Sequence, residues 1–390
     1  MLRSLYSGIS GLRAHQTMLD VTGNNIANVN TAGFKSSSVQ FEDTLSQLLS
    51  GATAPGAVGG TNPAQIGLGV RTAAISTNFT QGSAQATGKP TDLMINGDGF
   101  FNVKVGGQNL YTRAGDFNFD STGTLVSAGG GFVQGWTADG TGAINTNGAL
   151  GNIKLPVNSV VPAAATTKAS FAGNLPGDAA AGTTLTRDVP VYDASGTKST
   201  LSVTLTADGT GTWTVNDGAS NIGTLSFSNG LLTSMPTSLT TGTGIPLDFS
   251  TVSGYSTLST IALESEDGHA SGTLQSYSIG NDGTISGSYS NGVIQAIARI
   301  AVTTFTNPGG LEKQGGSSYA ATSNSGTPIT GSAGSPGIGS LTGGYLEASN
   351  VDLSQEFTDL IVAQRGFQAN ARIITTSDSI LQELVDLKRQ

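Results

Sequence analysis

The two ends of the chain carry apolar residues at seven-residue spacing, and the long region between them does not. The N-terminal set is Leu5, Leu12, Leu19 and Ile26, with Ile9 at the intermediate position. The C-terminal set is Leu353, Leu360, Phe367, Ile374 and Leu381, with Phe357 at the intermediate position. Spacings of three and four residues predict helices with a narrow apolar seam. Such helices pair with each other or with neighbouring copies of the chain.

The boundaries of both helices can be predicted from local signals. The first helix is expected over residues 1 to about 28, because Asn30 and Gly33 would end it. The second is expected to begin near Asn350 as its N-cap, with Asp352 in the first turn, and to run to about Lys388. Its intermediate seam positions continue at Gln364, Ala371, Asp378 and Val385.

The region between the helices has the composition of short β-strands joined by tight turns. Glycine accounts for 56 of 390 residues, and only 11% of the residues are charged. Alternating apolar residues over 91–136, 146–275 and 274–305 predict antiparallel strands. Asp208-Gly209 and Asn229-Gly230 predict hairpin turns between them. Before the strands, Phe41, Leu45, Leu48 and Leu49 predict a short amphipathic turn or two.

These patterns predict a multidomain α+β protein that is mainly β. Its N- and C-terminal helices are expected to pair as a coiled-coil-like core domain, with antiparallel β-domains inserted between them. The predicted units are a terminal helical core (1–35 plus 350–390), a connector region (36–90), an inner β-domain (91–145 plus 275–345) and an outer β-domain (146–274). Gly/Ala/Pro- or Gly/Ser/Pro-rich connectors are expected at 51–63 and 326–344.

Composition and motifs exclude several classes of function. A net charge of −9 argues against nucleic acid, which is bound largely through Lys and Arg. No segment approaches the length of a membrane span, and the N-terminus lacks an apolar signal-peptide core, so neither membrane insertion nor cleaved export is expected. The chain has no Cys and two separate His residues. We therefore predict no catalytic site, metal or cofactor, with His15 on the polar face of the first helix and His269 in a turn.

The terminal stripes alone leave two interpretations open. An amphipathic helix can pack within the core of its own domain, or it can assemble with other copies. No other helix of similar length is predicted in the chain, and a narrow stripe suits a seam between helices. We therefore weigh assembly through the ends against an ordinary helical core.

Longer motifs narrow the choice of family. Six segments resemble bacterial flagellar rod and hook proteins: residues 5–12, 23–35, 96–101, 111–117, 344–353 and 363–370. Within that family the middle of the chain resembles the hook branch. The segments that carry this second resemblance are residues 174–176, 191–196, 289–292 and 305–311. His269 departs from the family pattern, which more often has an aromatic residue there.

The resemblance implies a helical homopolymer outside the cell, exported unfolded without a cleaved signal peptide. The terminal helices would line a central channel, and the β-domains would form outer layers of a tube that bends as a universal joint between rod and filament. The implied partners are other copies of the chain, the distal rod protein, the hook cap protein, the hook–filament junction protein and the flagellar export apparatus. The alternatives are a distal rod subunit or a secreted β-rich enzyme or binding module.

Overall fold

Two long helices enclose a chain of β-strands in the computed structural model, which describes residues 2–52, 54, 59–156, 160–234 and 239–387. Helix α1 runs over Leu2–Ala27 and helix α2 over Leu353–Leu387. At 1.5 Å per residue, the 35 residues of α2 extend for about 52 Å. Both helices predicted from the seven-residue spacing are confirmed. The described part of the chain is otherwise mainly β-structure, apart from one 3-10 turn at Pro308–Gly310.

The strands lie between the two helices. In chain order they are β1 Ser37–Asp43, β2 Ser46–Ser50, β3 Ala64–Gly67, β4 Val70–Thr77, β5 Ala84–Ala86, β6 Leu93–Asn96, β7 Phe100–Val105, β8 Gln108–Thr112, β9 Phe117–Phe119, β10 Leu125–Ser127, β11 Phe132–Thr137, β12 Gly151–Asn152, β13 Val160–Val161, β14 Ala169–Asn174, β15 Thr184–Tyr192, β16 Lys198–Ala207, β17 Thr212–Asn216, β18 Asn221–Ser228, β19 Leu231–Ser234, β20 Leu239–Thr240, β21 Pro246–Ser253, β22 Ala262–Glu266, β23 Gly272–Ile279, β24 Thr284–Tyr289, β25 Ile294–Thr304, β26 Glu312–Gly315, β27 Ser318–Ala320, β28 Ile329–Ser332, β29 Ser340–Gly343 and β30 Tyr345–Glu347.

The N-cap of α2 differs from the prediction. Asp352 caps the helix, because its Oδ1 accepts the N–H groups of Ser354 at 2.9 Å and Gln355 at 3.3 Å. Asn350 lies before the cap and binds another segment instead. Its Oδ1 accepts the Ser36 N–H at 2.8 Å, and its Nδ2 donates to the Asn78 carbonyl at 2.8 Å.

Two antiparallel strand pairs replace the amphipathic turns predicted around residues 41–49. β1 pairs with β4, and β2 pairs with β3. The prediction was wrong because Phe41, Leu45 and Leu48 have helix-like spacing although they lie in extended or non-helical backbone. The described residues of the expected connector 51–63 have no regular secondary structure, and residues 53 and 55–58 lie outside the described part of the chain.

A thirteen-stranded sheet, called the inner sheet below, forms the first β-core. Its central strands follow the order β23-β24-β25-β11-β7-β8. Fully buried Phe101 and Phe117 contact each other edge to face with ring centroids 4.9 Å apart. The expected connector at 326–344 was wrong, since β28 pairs with β25, and β29 pairs with β6 against the same core. The glycine residues of this segment allow the tight turns that connect its short strands.

A second β-core is built from residues 169–266. The four-stranded sheet β20-β21-β14-β22 and the five-stranded sheet β15-β16-β17-β18-β19, together called the outer sheets, contribute to one apolar cluster around buried Trp213. The rings of Phe171 and Phe249 stack within it, with centroids 4.7 Å apart. The hairpin predicted at Asn229-Gly230 is confirmed: both residues have positive φ, 52° and 80°, as a two-residue turn between β18 and β19 requires.

A buried group of charged side chains, called the ion cluster below, joins distant parts of the chain. Glu347 in β30 accepts hydrogen bonds from Lys35 Nζ at 2.6 Å and from Arg113 Nη1 at 3.3 Å. The side chains of Lys35 and Glu347 are fully buried, and that of Arg113 is 4% exposed. Lys35 Nζ also donates to the Thr80 carbonyl at 2.7 Å, and the Gly82 N–H donates to Glu347 Oε1 at 2.8 Å. The single carboxylate is therefore the counter-ion of two buried cations.

Burial disfavours the charged forms of the two cations in the ion cluster. Burial lowers the pKa of Lys35 and of Arg113, and the hydrogen bond and negative charge of Glu347 counteract this in both cases. Arg113 also donates to the Gly97 carbonyl at 2.9 Å and lies 5.4 Å from the centroid of the Phe100 ring. Because desolvation is severe here, the cluster is stable only while all of its partners are present.

Replacing Glu347 by Gln should destabilise the inner sheet. The change keeps the size of the side chain but removes the ion-pair partner of both buried cations, leaving Arg113 only the longer-range attraction of Asp98, so we expect the free energy of unfolding to fall by about 3–5 kcal/mol. Urea unfolding in a Trp213→Phe background measures this, because buried Trp136 in β11 then reports on the inner sheet alone.

The matched control is Glu42→Gln. Glu42 forms an ion pair with Arg71, and their side chains are 40% and 70% exposed. Removing an exposed pair should change the free energy of unfolding by less than about 1 kcal/mol. Equal effects of the two substitutions would contradict the role assigned to the ion cluster.

Candidate self-assembly surface

Helices α1 and α2 approach each other at glycine residues. A Cβ atom placed on Gly11 would lie 2.7 Å from Asn370 Oδ1, and one on Gly8 would lie 3.4 Å from Ile374 Cγ1. A Cβ placed on Gly366 would lie 2.5 Å from the His15 ring. Larger residues at Gly11 or Gly366 would therefore displace the Asn370 side chain or the His15 ring from this contact.

His15 occupies this contact and not a polar face of α1, so its predicted position was wrong. The ring lies over Gly366 and makes an edge contact with Phe41, with centroids 5.8 Å apart. Its Nδ1 atom is buried and has no hydrogen-bond partner. On the same helix, Ser10 Oγ accepts the Val70 N–H at 3.2 Å, so the β1–β4 pair also packs on α1.

The face of α2 that is shielded from solvent differs from the predicted seam by one position. Ala363 is fully buried and Ser377 is 7% exposed. The predicted intermediate positions Gln364, Asp378 and Val385 are exposed. The buried residues Ala363 and Ser377 lie three positions after Leu360 and Ile374, so the shielded face of α2 also shows alternating spacings of three and four residues. Their small side chains permit a closer approach of the two helices than a side chain as large as that of Val385 would.

The predicted assembly residues divide into two groups by exposure. Half-buried members are Leu5, Ile9, Leu12, Leu19, Ile26, Leu360, Phe367, Ile374 and Leu381. Leu353 is 40% exposed and Phe357 is 51% exposed. Neither helix, over its described residues, combines the length and apolarity needed to cross a lipid membrane.

Exposed apolar side chains of α2, called the outer stripe below, form two runs along the helix. Leu353, Phe357 and Ile361 follow one another at four-residue spacing, and Ile373, Ile380 and Leu387 at seven-residue spacing; Val362 and Val385 are exposed as well. Leu353 and Phe357 were among the predicted assembly residues, whereas Ile361, Val362, Ile373, Ile380 and Leu387 were missed, although these spacings could have revealed most of them. The strand pairs β1–β4 and β2–β3 add further exposed apolar side chains: Phe41, Leu45, Leu48, Leu49, Ile66, Leu68, Val70 and Ile75. Exposed apolar surface of this extent is typical of a protein–protein interface.

Asn25 fixes the end of α1 to the start of α2. Its Nδ2 donates to Glu356 Oε1 and to the Ser37 carbonyl, both at 2.8 Å, and its Oδ1 accepts the Ser37 N–H at 3.0 Å. Burial raises the pKa of Glu356, and the hydrogen bond from Asn25 partly opposes this. A polar residue is normally expected at the surface, but Asn25 is only 1% exposed. Nothing in the sequence therefore indicated this contact.

Three protein-family models match separate parts of the chain. Residues 5–35 match the flagella basal body rod protein model, and residues 94–169 match the flagellar hook protein FlgE/F/G D1 domain. Residues 342–387 match the C-terminal model of the flagellar basal body rod FlgEFG proteins. The matched segments include α1 from residue 5 onward, the three charged residues of the ion cluster, and α2.

Relatives match over the full length. The flagellar hook protein FlgE of Borreliella burgdorferi is 41% identical and that of Treponema pallidum 38%, each over 100% of both chains. The flagellar basal-body rod protein FlgG of Bacillus subtilis is 37% identical, also over 100% of both chains. In fold, the chain is similar to the hook protein FlgE2 of Helicobacter pylori, with a TM-score of 0.51 and 16% identity over 68% of this chain and 100% of that one. The chain belongs to the flagellar hook and rod protein family, and it is a structural subunit of the bacterial flagellar hook.

Proposed function

We propose that copies of this chain assemble outside the cell into a flexible helical tube that transmits motor torque from the rod to the filament. The observation that carries the proposal is the outer stripe. The contact of α2 with α1 uses glycine and other small residues, while large side chains such as Phe357 and Ile361 remain more than half exposed. Their burial against neighbouring copies would stabilise a polymer by roughly 25 cal/mol per Å² of apolar surface.

Within each subunit, α1 and α2 form the proposed coiled-coil-like core that lines the channel. Contacts of Gly8 and Gly11 with α2, and of Asn25 with Glu356, support this pairing. The proposed core domain comprises residues 1–35 and 350–390. Leu5, Leu12, Leu19 and Ile26 of α1 and Leu360, Phe367, Ile374 and Leu381 of α2 would be buried more completely in the tube than in one chain.

The β-regions are proposed to form an inner and an outer layer around that core. Separate apolar clusters in the inner sheet and the outer sheets support two domains. β12 and β13 pair with strands of the inner sheet, which favours an outer domain that begins after Val161 and later than residue 146. With only 11% charged residues in the chain, contacts between outer domains would slide more readily than contacts fixed by ion pairs.

The proposed partners follow from a place between rod and filament. They are the distal rod protein, the hook cap protein, the hook–filament junction protein and, during export, the flagellar export apparatus. We propose no enzymatic role. The competing function, a rod subunit, has less support, because the rod protein of Bacillus subtilis is 37% identical whereas the hook proteins of Borreliella burgdorferi and Treponema pallidum are 41% and 38% identical.

Immunogold electron microscopy of isolated basal bodies separates these functions. An antibody to residues 146–275 should label the short curved segment outside the cell. Label confined to the straight axle below it would identify a rod subunit and overturn the proposal.

Polar substitutions in the outer stripe should block assembly without unfolding the β-domains. Phe357→Ser and Ile361→Ser remove side chains that are 51% and 55% exposed in one chain, so the loss should fall on contacts between copies. Sedimentation would show monomer where the unmodified protein forms polymer. Gln368→Ser, an exposed polar position on α2, is the control and should polymerise normally.

Amide exchange should differ sharply between the monomer and the polymer over residues 5–26. In the monomer the helices lack the neighbours that would cover their apolar surfaces, so we expect rapid exchange there and slow exchange in the polymer. Strand β16, which is hydrogen-bonded to β15 and to β17, should exchange slowly in both states. Slow exchange over residues 5–26 in the monomer would contradict the prediction.

Gly11→Ala should weaken the polymer relative to Gly23→Ala. A Cβ on Gly11 would overlap the end of the Asn370 side chain and displace its hydrogen bond to the Gly366 carbonyl, which typically contributes about 1 kcal/mol. A Cβ on Gly23 meets no atom within 4 Å. Alanine favours the helix over glycine by up to about 1 kcal/mol at both positions, so this gain cancels in the comparison. The temperature at which the polymer dissociates should therefore be lower for Gly11→Ala than for Gly23→Ala, and equal temperatures would show that the close approach at Gly11 does not matter for assembly.

A further inference from the structure

Helices α1 and α2 pack against each other in opposite directions. A Cβ placed on Gly8 would lie 3.4 Å from Ile374 and 3.5 Å from Ile373, so this glycine sits between two large side chains of α2. Three residues later, Gly11 lies against Asn370. Residue numbers rise along α1 as they fall along α2, so the two helices are antiparallel.

Three rows of residues at seven-residue spacing run along α2. The middle row faces α1: Asn370 contacts Gly11, and Ala363 and Ser377 are buried. On a helix, residues three positions earlier and three positions later lie about 60° to either side of a row. The earlier positions form the first flank, which is Leu360, Phe367, Ile374 and Leu381. The later positions form the second flank, which is Ile373, Ile380 and Leu387.

The apolar row of α1 lies on the same side of the helix pair as the first flank. This row directly follows the positions of Gly11 and Asn25, which contact α2, so it is rotated by about +100° from the facing row. The first flank is rotated by about +60° from the facing row of α2. In an antiparallel pair, rotations of the same sense bring both rows to one side. The row of α1 is Leu5, Leu12, Leu19 and Ile26.

These two rows line a groove between the helices, called the apolar groove below. Every one of its residues is half-buried in the single chain, so the groove is open to solvent along its length. Its walls are entirely aliphatic or aromatic. Such a surface can be covered by apolar side chains, and it offers no charged group that would recognise a charged partner.

The opposite side of the helix pair has a different shape. There the β1–β4 pair packs on α1, where Ser10 Oγ accepts the Val70 N–H at 3.2 Å. The second flank of α2 lies on this side. The exposed fraction of its side chains is 44% at Ile373, 45% at Ile380 and 69% at Leu387. The second flank is therefore a projecting apolar ridge, whereas the apolar groove is a depression.

Ridge and groove match in spacing and in chemistry. Both repeat every seven residues, which is the spacing at which side chains of one helix fit between those of another. Both consist of apolar residues only. Because they lie on opposite sides of the helix pair, one chain cannot bring its own ridge into its own groove. A second copy of the chain can supply the ridge.

We propose that the second flank of α2 in one copy packs into the apolar groove of the next copy. Each copy then uses its groove for one neighbour and its ridge for another. Such a head-to-tail contact repeats without limit, whereas a contact between two identical surfaces closes at a dimer. The inference rests on the proposed function and deepens it, because it names the contact through which the core of the tube is assembled.

Disulfide formation between two single-cysteine variants tests the contact. The chain has no Cys, so a crosslinked dimer can arise only between copies. Ile380→Cys provides the ridge, and Leu5→Cys, Leu12→Cys, Leu19→Cys and Ile26→Cys sample the groove at intervals of about 10.5 Å. Each groove variant is polymerised with the ridge variant, oxidised and analysed on a denaturing gel without reductant. At least one pair should yield dimers, since a disulfide needs Cβ atoms about 3.8 Å apart.

The matched control is Ser379→Cys. This residue is exposed and adjacent to Ile380, but it lies about 100° farther round α2 than the ridge. It should crosslink with none of the four groove variants. Normal polymers in which Ile380→Cys crosslinks with no groove position would overturn the proposal. Efficient crosslinking of Ile380→Cys with itself would overturn it too, because the ridge would then pack on another ridge.

Failure of assembly is distinguishable from failure of the proposed contact. If Ile380→Cys does not polymerise, Ile373→Cys replaces it, because it belongs to the same flank. Unmodified chains that form no polymer would contradict the proposed function itself. Polymers that form normally but give no crosslink between ridge and groove would contradict only this contact.

Discussion

The placement of both terminal helices depends on the buried carboxylate of Glu347. It binds Lys35, which follows α1, and Arg113, which belongs to the inner sheet, while its own strand leads into α2. Charge-assisted hydrogen bonds are strong and directional, so they fix the relative positions of these segments more narrowly than apolar contacts of similar size would. Asn25 and Asn350 extend the same junction, since each joins a segment near residue 36 to the beginning of α2. Without this junction, the helices would contact the β-structure mainly where the β1–β4 pair packs on α1, as at Ser10 and Val70.

From that junction the two helices present different surfaces. The mutual contact uses Gly8, Gly11 and Gly366, which bring the backbones close and leave little room for large side chains. Ile374 lies within this contact, whereas other large apolar side chains of α2, such as Phe357 and Ile361, are exposed. The contact with α1 thus buries only part of the apolar surface of α2, and the rest needs other molecules to cover it. This division explains how a single subunit can have defined β-cores and still favour a polymer.

The sequence predicted the elements whose signals are local. Seven-residue spacing located α1 and α2, and Asn229-Gly230 located a hairpin, because helix periodicity and turn chemistry act over a few residues. It failed where the partner lies far along the chain. The spacing of Phe41, Leu45 and Leu48 is compatible with a helix, and only pairing with residues 64–77 makes this region β-structure. The predicted N-cap of α2 was wrong for a related reason, since Asn350 forms hydrogen bonds with Ser36 and Asn78 instead of capping the helix. The ion cluster was not predicted because its three charged residues are separated by most of the chain, and nothing local distinguishes a buried Lys35 from an exposed one.

A joint that bends under torque needs compliant contacts and stiff bodies in the same polymer. Apolar cores stiffen the inner and outer sheets, so the natural weak point within a subunit is the ribbon between them. In that ribbon, four residues of one strand face two of the other between the pairs Ala164–His269 and Ala169–Glu266. Asp267 accepts the N–H groups of Thr167 and Lys168 there. Asn291 donates to the Ala270 carbonyl on one side of the ribbon, and Tyr192 donates to Thr166 Oγ1 on the other. Polar groups placed at a weak point raise the cost of local opening, because opening would leave several of them unpaired. Local opening of this ribbon is therefore costlier than that of a two-stranded connection without such side-chain hydrogen bonds.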